Sequence, residues 1–375
     1  MMNIFNQPSE ETQERIARAL EAMSATRPQE DFSGSPGSKY IIRGDKVSGF
    51  YGFVQPSEFG KIEIEELETA TDFDGVNLAL AVGISAGEPQ FTDTPWIKVS
   101  IDGRPCFIPL KSLRHSVAWD AIYNAGAVYG TRDEGLLPPT GRLGTDLVIN
   151  GEDNSINTTK LNFLGNKSDE MNYADTVGKV GDTLVLKGWS NGANYGEVTI
   201  ESITNTKIIV SGKQLVSENG GKSSRFYEKT KAVTQNKTVK IGGLEYEVTL
   251  IKGSGNNPTD SANNPDGGST GAGNEWNRVI LPLHEQAKLG NWAYPQYAKN
   301  KDGGAIEDWG VGLSDKDMQL HHAFGTGYRP WCQEVVDTVP WRRVSRGYNG
   351  ASNSYWGGSW GAYSYHGWLP VLRLK

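Results

Sequence analysis

Glycine occupies 46 of the 375 positions of this chain, and that abundance excludes more folds than any other feature of it. Glycine supplies the positive backbone angles of tight turns, and it weakens a helix interior by about 1 kcal/mol relative to alanine. The expectation is a β-rich, turn-rich fold of the α+β class rather than a helical bundle. Strand signals agree. Trp96–Ile101 and Arg104–Pro109 flank Asp102-Gly103, the dipeptide of a two-residue hairpin turn. Thr238–Ile241 and Leu244–Ile251 flank Gly242-Gly243 in the same way. Shorter β-like pieces lie upstream, at Tyr40–Arg43, Phe50–Val54, Lys61–Glu65 and Leu78–Val82. Lys61–Glu65 alternates strictly and is expected to be half-buried.

Helix signals are few. Ser9 can cap an N-terminal helix carrying Ile16, Leu20 and Met23 at helical spacing, and Thr26–Lys39 follows as a linker. Residues 1–39 therefore read as a helical arm and linker, either anchoring the chain to a partner or lying solvated or packed on its own chain. Trp119–Ala125 reads as a helix capped by Ser116 and ended by Gly126, and another starts at Glu275. From Asp146 to Lys231 the texture turns polar. Asp182–Gly188, Gly196–Ile203 and Lys207–Gly212 look like consecutive antiparallel strands there. Residues 146–231 are expected to form a small inserted β-domain, and Lys252–Asn274 a surface loop.

Several function classes are disfavoured. A net charge of −7 repels phosphate backbones, so nucleic-acid binding is not expected. The cysteines, Cys106 and Cys332, form no CxxC pair for zinc or redox chemistry. The N-terminus lacks the basic and apolar regions of a signal peptide, and no apolar run is long enough to span a bilayer.

The functional signal is Ser345–Trp368, where 20 of 24 residues are Gly, Ser, Tyr, Trp or Asn, and no Asp or Glu occurs after Asp337. This is the composition of a recognition surface. Tyr and Trp give large amphipathic contact area at low entropic cost, while Ser, Gly and Asn adapt and hydrogen-bond. Exposed rings also stack on sugar faces, which makes glycans a natural ligand class. Tyr348, Tyr355, Tyr363 and Tyr365 are expected to be exposed, with Asn349, Asn353, Trp356, Trp360 and His366 as further ligand contacts. The apolar Val344 and Trp368–Leu374 hold this variable-looking loop at its ends.

Other chemistry is weaker. His321-His322 could ligate a metal, but adjacent side chains usually diverge, so a turn or surface role fits better. Asp260, Asn263, Asn264 and Asp266 make an oxygen-rich loop that could hold Ca²⁺, without the EF-hand spacing; a solvated loop is the plainer reading, and no cofactor is expected. Glu307, Asp308, Glu334 and Asp337 are the carboxylates a glycosidase would draw on, yet no spacing selects a pair. No enzyme is expected.

Taken in order, Trp96–Pro109, Ser116–Thr131, Thr238–Gly253, Asn274–Leu283, Trp331–Glu334, Val344–Ser352 and Gly367–Lys375 resemble tailed-bacteriophage virion proteins with a C-type-lectin-like, or formylglycine-generating-enzyme-like, fold. Variable proteins of diversity-generating retroelements are similar in the same region. Asp182–Gly221 resembles a small β-domain of phage particle proteins. Where the virion family usually has Arg this chain has Leu369, and it lacks the paired cysteines with which formylglycine-generating enzymes bind copper. The resemblance implies a discontinuous lectin-like domain over 96–145 and 232–375, preceded by a short β region at 40–95. It implies pairing of the strands near Trp96–Pro109 and Trp368–Leu374, with helices near Trp119 and Trp276. It also implies a virion protein made in the host cytoplasm and oligomeric on the particle. Its partners would be other virion proteins and a host surface glycan or protein. The alternative role is architectural, as a capsid decoration, collar or tail component whose aromatic segment binds other subunits.

Overall fold

The computed structural model describes residues 34–64, 68–131, 135–136, 141–143, 146–158, 163, 178–221, 224–229, 232–254, 273–336 and 339–375. The expected N-terminal helix and the oxygen-rich loop at Asp260–Asp266 lie outside them, as does Asp337. The described chain is β-rich, with helices of eight residues or fewer. None of these is long and apolar enough to cross a membrane.

The largest sheet has nine strands. Across it they run Arg43–Gly44, Ser48–Val54, Trp96–Ile101, Arg104–Pro109, Val371–Leu374, Leu244–Thr249, Thr238–Ile241, Lys61–Ile64 and Thr69–Asp72. Both expected hairpins are present. Asp102 and Gly103 take φ of 53° and 78°, and Gly242 and Gly243 take 58° and 79°, the backbone that a two-residue turn between twisted strands requires. The last strand pairs with the first hairpin, Leu372 opposite Phe107 and Arg373 opposite Cys106. Residues 40–95 are not a separate sheet: their main strands are woven into this one on both sides of the later pairs. Lys61–Ile64 alternates exposed and buried residues, as its pattern demands.

Two hydrophobic clusters lie against this sheet. Ile97, Val99 and Ile101 join Trp276, Val279 and Leu283 in one. Trp96, Phe107 and Leu372 join Leu78, Trp119 and Ile122 in the other. Because side chains alternate along a strand, Trp96–Ile101 reaches both clusters: Ile97, Val99 and Ile101 enter the first and Trp96 the second.

Two local expectations are corrected. Gly75–Val82 is a helix, not a strand, capped by the Asp74 side chain accepting from the Asn77 N–H. Replacing Asp74 with alanine is expected to cost about 1 kcal/mol of unfolding free energy in a urea titration. The helix Trp119–Asn124 starts after Ala118, and Ser116 does not cap it. Ser116 instead has a φ of 55°, and its Oγ lies 2.9 Å from His115 Nδ1.

The insertion forms its own eight-stranded sheet, drawn from strands between Gly141 and Glu228. Thr183–Lys187, Gly196–Ile203 and Lys207–Ser211 are consecutive antiparallel neighbours. Leu147, Ile156, Leu184, Val198, Ile208 and Phe226 belong to a cluster of their own beneath it. Its first strand, Gly141–Leu143, begins before the expected boundary at residue 146.

Candidate functional site: an aromatic cleft floored by arginine

A further sheet of six strands carries the aromatic segment. Gly350–Gly358 pairs with Val339–Gly347, which pairs with Arg329–Val336. Arg329–Val336 runs parallel to His366–Trp368, with Arg329 opposite His366. The expected loop is thus largely a hairpin strand, and the glycines explain how rings fit on it. A Cβ at Gly357 would lie 2.7 Å from Trp331 Cη2 and 2.9 Å from His366 Nε2. A Cβ at Gly358 would lie 2.6 Å from Trp360 Cζ2. These glycines are spaces already filled by neighbouring aromatic rings.

Buried indoles lock this sheet to the scaffold. Trp276 Nε1 donates to Ala351 O at 3.0 Å, Trp331 Nε1 to Val117 O at 2.8 Å, and Trp119 Nε1 to Cys332 O at 2.9 Å. Asp120 binds the chain beyond the hairpin, its N–H donating to Ser359 O at 3.0 Å and its carboxylate accepting from Ser359 Oγ at 3.1 Å. A surface held this way is preorganised, which would reduce the ordering cost of binding a ligand there.

Between the strands and the turn 359–365 lies a cleft of about 580 Å³. Tyr348, Tyr355, Trp356, Trp360, Tyr363, Tyr365 and His366 all line it. Asn349 and Asn353 do not. Asn349 is occupied elsewhere, donating to the Tyr294 hydroxyl at 2.9 Å and lying 3.0 Å from His322 Nδ1. Asn353 is buried. Among the tyrosines expected to be exposed, only Tyr363 is, at 56 %. Tyr348, Tyr355 and Tyr365 are half-buried because they pack on one another and on a cation. Tyr348 and Tyr355 have centroids 5.2 Å apart, and Tyr363 stacks on Tyr365 at 5.2 Å.

That cation is Arg329, which local composition does not single out; the same holds for Tyr328 and Arg342. Its guanidinium carbon lies 4.3 Å from the Tyr355 ring, 4.8 Å from Tyr365 and 5.3 Å from Tyr348. Its nitrogens donate to Ser345 Oγ and, at 2.8 Å, to Trp356 O. Burial lowers its pKa from the usual arginine value. Arg342 sits over the Trp356 ring at 3.2 Å on the cleft wall. Distance in sequence hid Arg329: it reaches Tyr365 beside its parallel pairing with His366, and Tyr355 across the strand Val339–Gly347.

His366 is fully buried at the cleft floor, not an exposed contact. Its Nδ1 lies 2.7 Å from Gly361 O, an acceptor, so Nδ1 carries the hydrogen and Nε2 the lone pair. Burial, with the Arg329 charge second, pushes its pKa down to about 3. Among the described residues no carboxylate lines the cleft, and no group of three His, Cys, Asp or Glu could hold a metal. Glu334 is buried elsewhere, accepting from the Gly253 and Ser254 N–H groups. The His321 and His322 rings lie 4.1 Å apart, closer than adjacent residues usually allow, but His321 Nδ1 accepts from the Ala323 N–H in a turn.

Comparison with protein-family models, curated proteins and solved structures finds no match for this chain.

Proposed function

We propose that this protein is a non-enzymatic component of a tailed-phage particle that attaches to the host surface by binding a glycan in the aromatic cleft. One observation carries the reading: seven of the aromatic and histidine side chains singled out in the sequence converge on one preformed cleft. Its volume falls in the range of small-molecule sites, and rings with one apolar face and one polar edge suit a sugar. The pairing of the last strand with the first hairpin, and short helices at Trp119 and Trp276, support the lectin-like comparison. The insertion, with its own sheet and core, supports the phage comparison. Single sugar contacts are weak, so an oligomeric particle protein gains avidity from many copies.

The test is binding of the labelled full chain to intact cells of the bacterium in which the particle replicates. Tyr363→Ala and Trp360→Ala remove rings that face the cleft without emptying a hydrophobic core. Together they are expected to weaken binding by about 30-fold or more, as for central aromatic anchors. Undiminished binding by the folded double variant would remove the cleft from the account. No binding by the wild type, with variant particles failing to assemble, would favour the architectural role.

A further inference from the structure

We propose that the ligand is an acidic sugar, with its carboxylate against Arg329 and its ring against the tyrosines of the cleft; this rests on the glycan reading above.

Arg329 is 4 % exposed, yet its protein acceptors are a hydroxyl and a carbonyl, both neutral. No ion pair to it occurs among the described residues. Burying a guanidinium without a counter-charge is costly, and the tyrosine faces offset only part of that cost. Nε and Nη2 make the hydrogen bonds to Ser345 and Trp356. Nη1 donates to no described protein atom and is not among the sealed polar atoms without partners, so it faces the cleft.

The surroundings have the same sign. Arg342 stands on the cleft wall, and among the described residues no Asp or Glu lines it. The chain as a whole carries −7, so this cleft is charged against the background of its own protein. An anion is therefore drawn to it and kept from most of the remaining surface.

The unused donor on Arg329 suits a carboxylate. A single unused guanidinium nitrogen matches one carboxylate oxygen. A phosphate monoester carries about −1.5 to −2 charges and three acceptor oxygens, and calls for several donors. The stacked Tyr363 and Tyr365 rings supply the flat apolar face that a pyranose needs, within reach of the same cleft.

The experiment measures affinities of the purified full chain for methyl glucuronoside, methyl galacturonoside and N-acetylneuraminic acid. Each is paired with its neutral counterpart: methyl glucoside, methyl galactoside and the carboxyl-reduced neuraminic alcohol. At least one acid is expected to bind about tenfold or more tightly than its neutral partner, the gain of one hydrogen bond to a charged group. This comparison leaves the protein unchanged, so it does not depend on a variant folding. Arg329→Lys should retain part of the preference and Arg329→Gln should abolish it, each with a wild-type near-ultraviolet circular dichroism spectrum. Acid and neutral sugars binding equally would overturn the proposal and leave the cleft a sugar site. No acid binding while the chain still binds cells through Tyr363 and Trp360 would overturn it too, and would point to a protein receptor.

Discussion

Replacing Glu275 with alanine is expected to lower the unfolding free energy by about 3–5 kcal/mol, the cost of leaving a buried charge without its partner. Glu275 is the first residue of the short helix that carries Trp276, and Arg373 lies in the last strand. Their side chains meet at 2.8 Å, each less than a tenth exposed. Glu275 also accepts from the Lys252 N–H at 3.0 Å, and Arg373 Nε donates to Thr249 Oγ1 at 2.9 Å. These contacts, led by Arg373, hold the Glu275 pKa below the usual carboxylate value against the pull of burial. Removing the carboxylate takes from Arg373 its charged partner Glu275 in the sheet interior. The double variant Glu275→Met, Arg373→Met should recover most of the loss, since paired apolar replacements are often neutral. Denaturant titration of the wild type, Glu275→Met, Arg373→Met and the double variant measures the coupling. A loss in the double variant equal to the sum of the two single losses would mean that the pair is uncoupled and each side chain acts through its own packing. The helix also carries the indole that holds Ala351, so the single variants should loosen the cleft hairpin as well.

Legibility in the sequence followed locality. The hairpins at Asp102-Gly103 and Gly242-Gly243 were readable because the turn chemistry and the flanking strands sit within 14 residues. Lys61–Ile64 was readable because alternation reports a half-buried strand directly. Gly75–Val82 was not, since the apolar run Leu78–Val82 has no period; the overlooked signal was Asp74, a capping residue three places before Asn77. The aromatic cleft was legible as composition, and seven of nine named residues line it. Its charge was not. Arg329 lies 37 residues before His366 in the chain and beside it in the sheet, and no local pattern encodes a parallel pairing between distant strands. Burial of the tyrosines was misjudged for the same reason: glycine- and serine-rich neighbours bury little by themselves, but a cation from another strand and the rings themselves fill the space.

Between about pH 4.5 and 6.5 the stability of the protein should be nearly level, because His366 and Glu334 oppose each other. His366 has a folded pKa of about 3, below its ordinary 6.5, so it adds stability as pH rises through that interval. Its contribution is complete above 6.5 and lost as pH falls through 3. Glu334 is pushed by burial from 4.5 to about 7, against the two N–H groups of Gly253 and Ser254. Its contribution is complete below 4.5 and lost as pH rises through 7. Where the windows overlap, the unfolded chain gains a proton on His366 while the folded chain holds one on Glu334, and the slopes cancel. Asp120, also raised by burial, adds to the Glu334 slope at the acid end. His366→Asn keeps a donor to Gly361 O but removes the titration. Its unfolding free energy should fall by about 3 kcal/mol from pH 4.5 to 7, since each tenfold difference in proton affinity between the folded and unfolded chain is worth about 1.4 kcal/mol. A variant profile as level as the wild type would mean that His366 titrates near its ordinary value in the fold. The same burial fixes the chemistry of the cleft. With His366 neutral above about pH 4, the positive charge on the cleft floor belongs to the Arg329 guanidinium, so ligand affinity should be flat from about pH 5 to 8 while stability declines across neutrality.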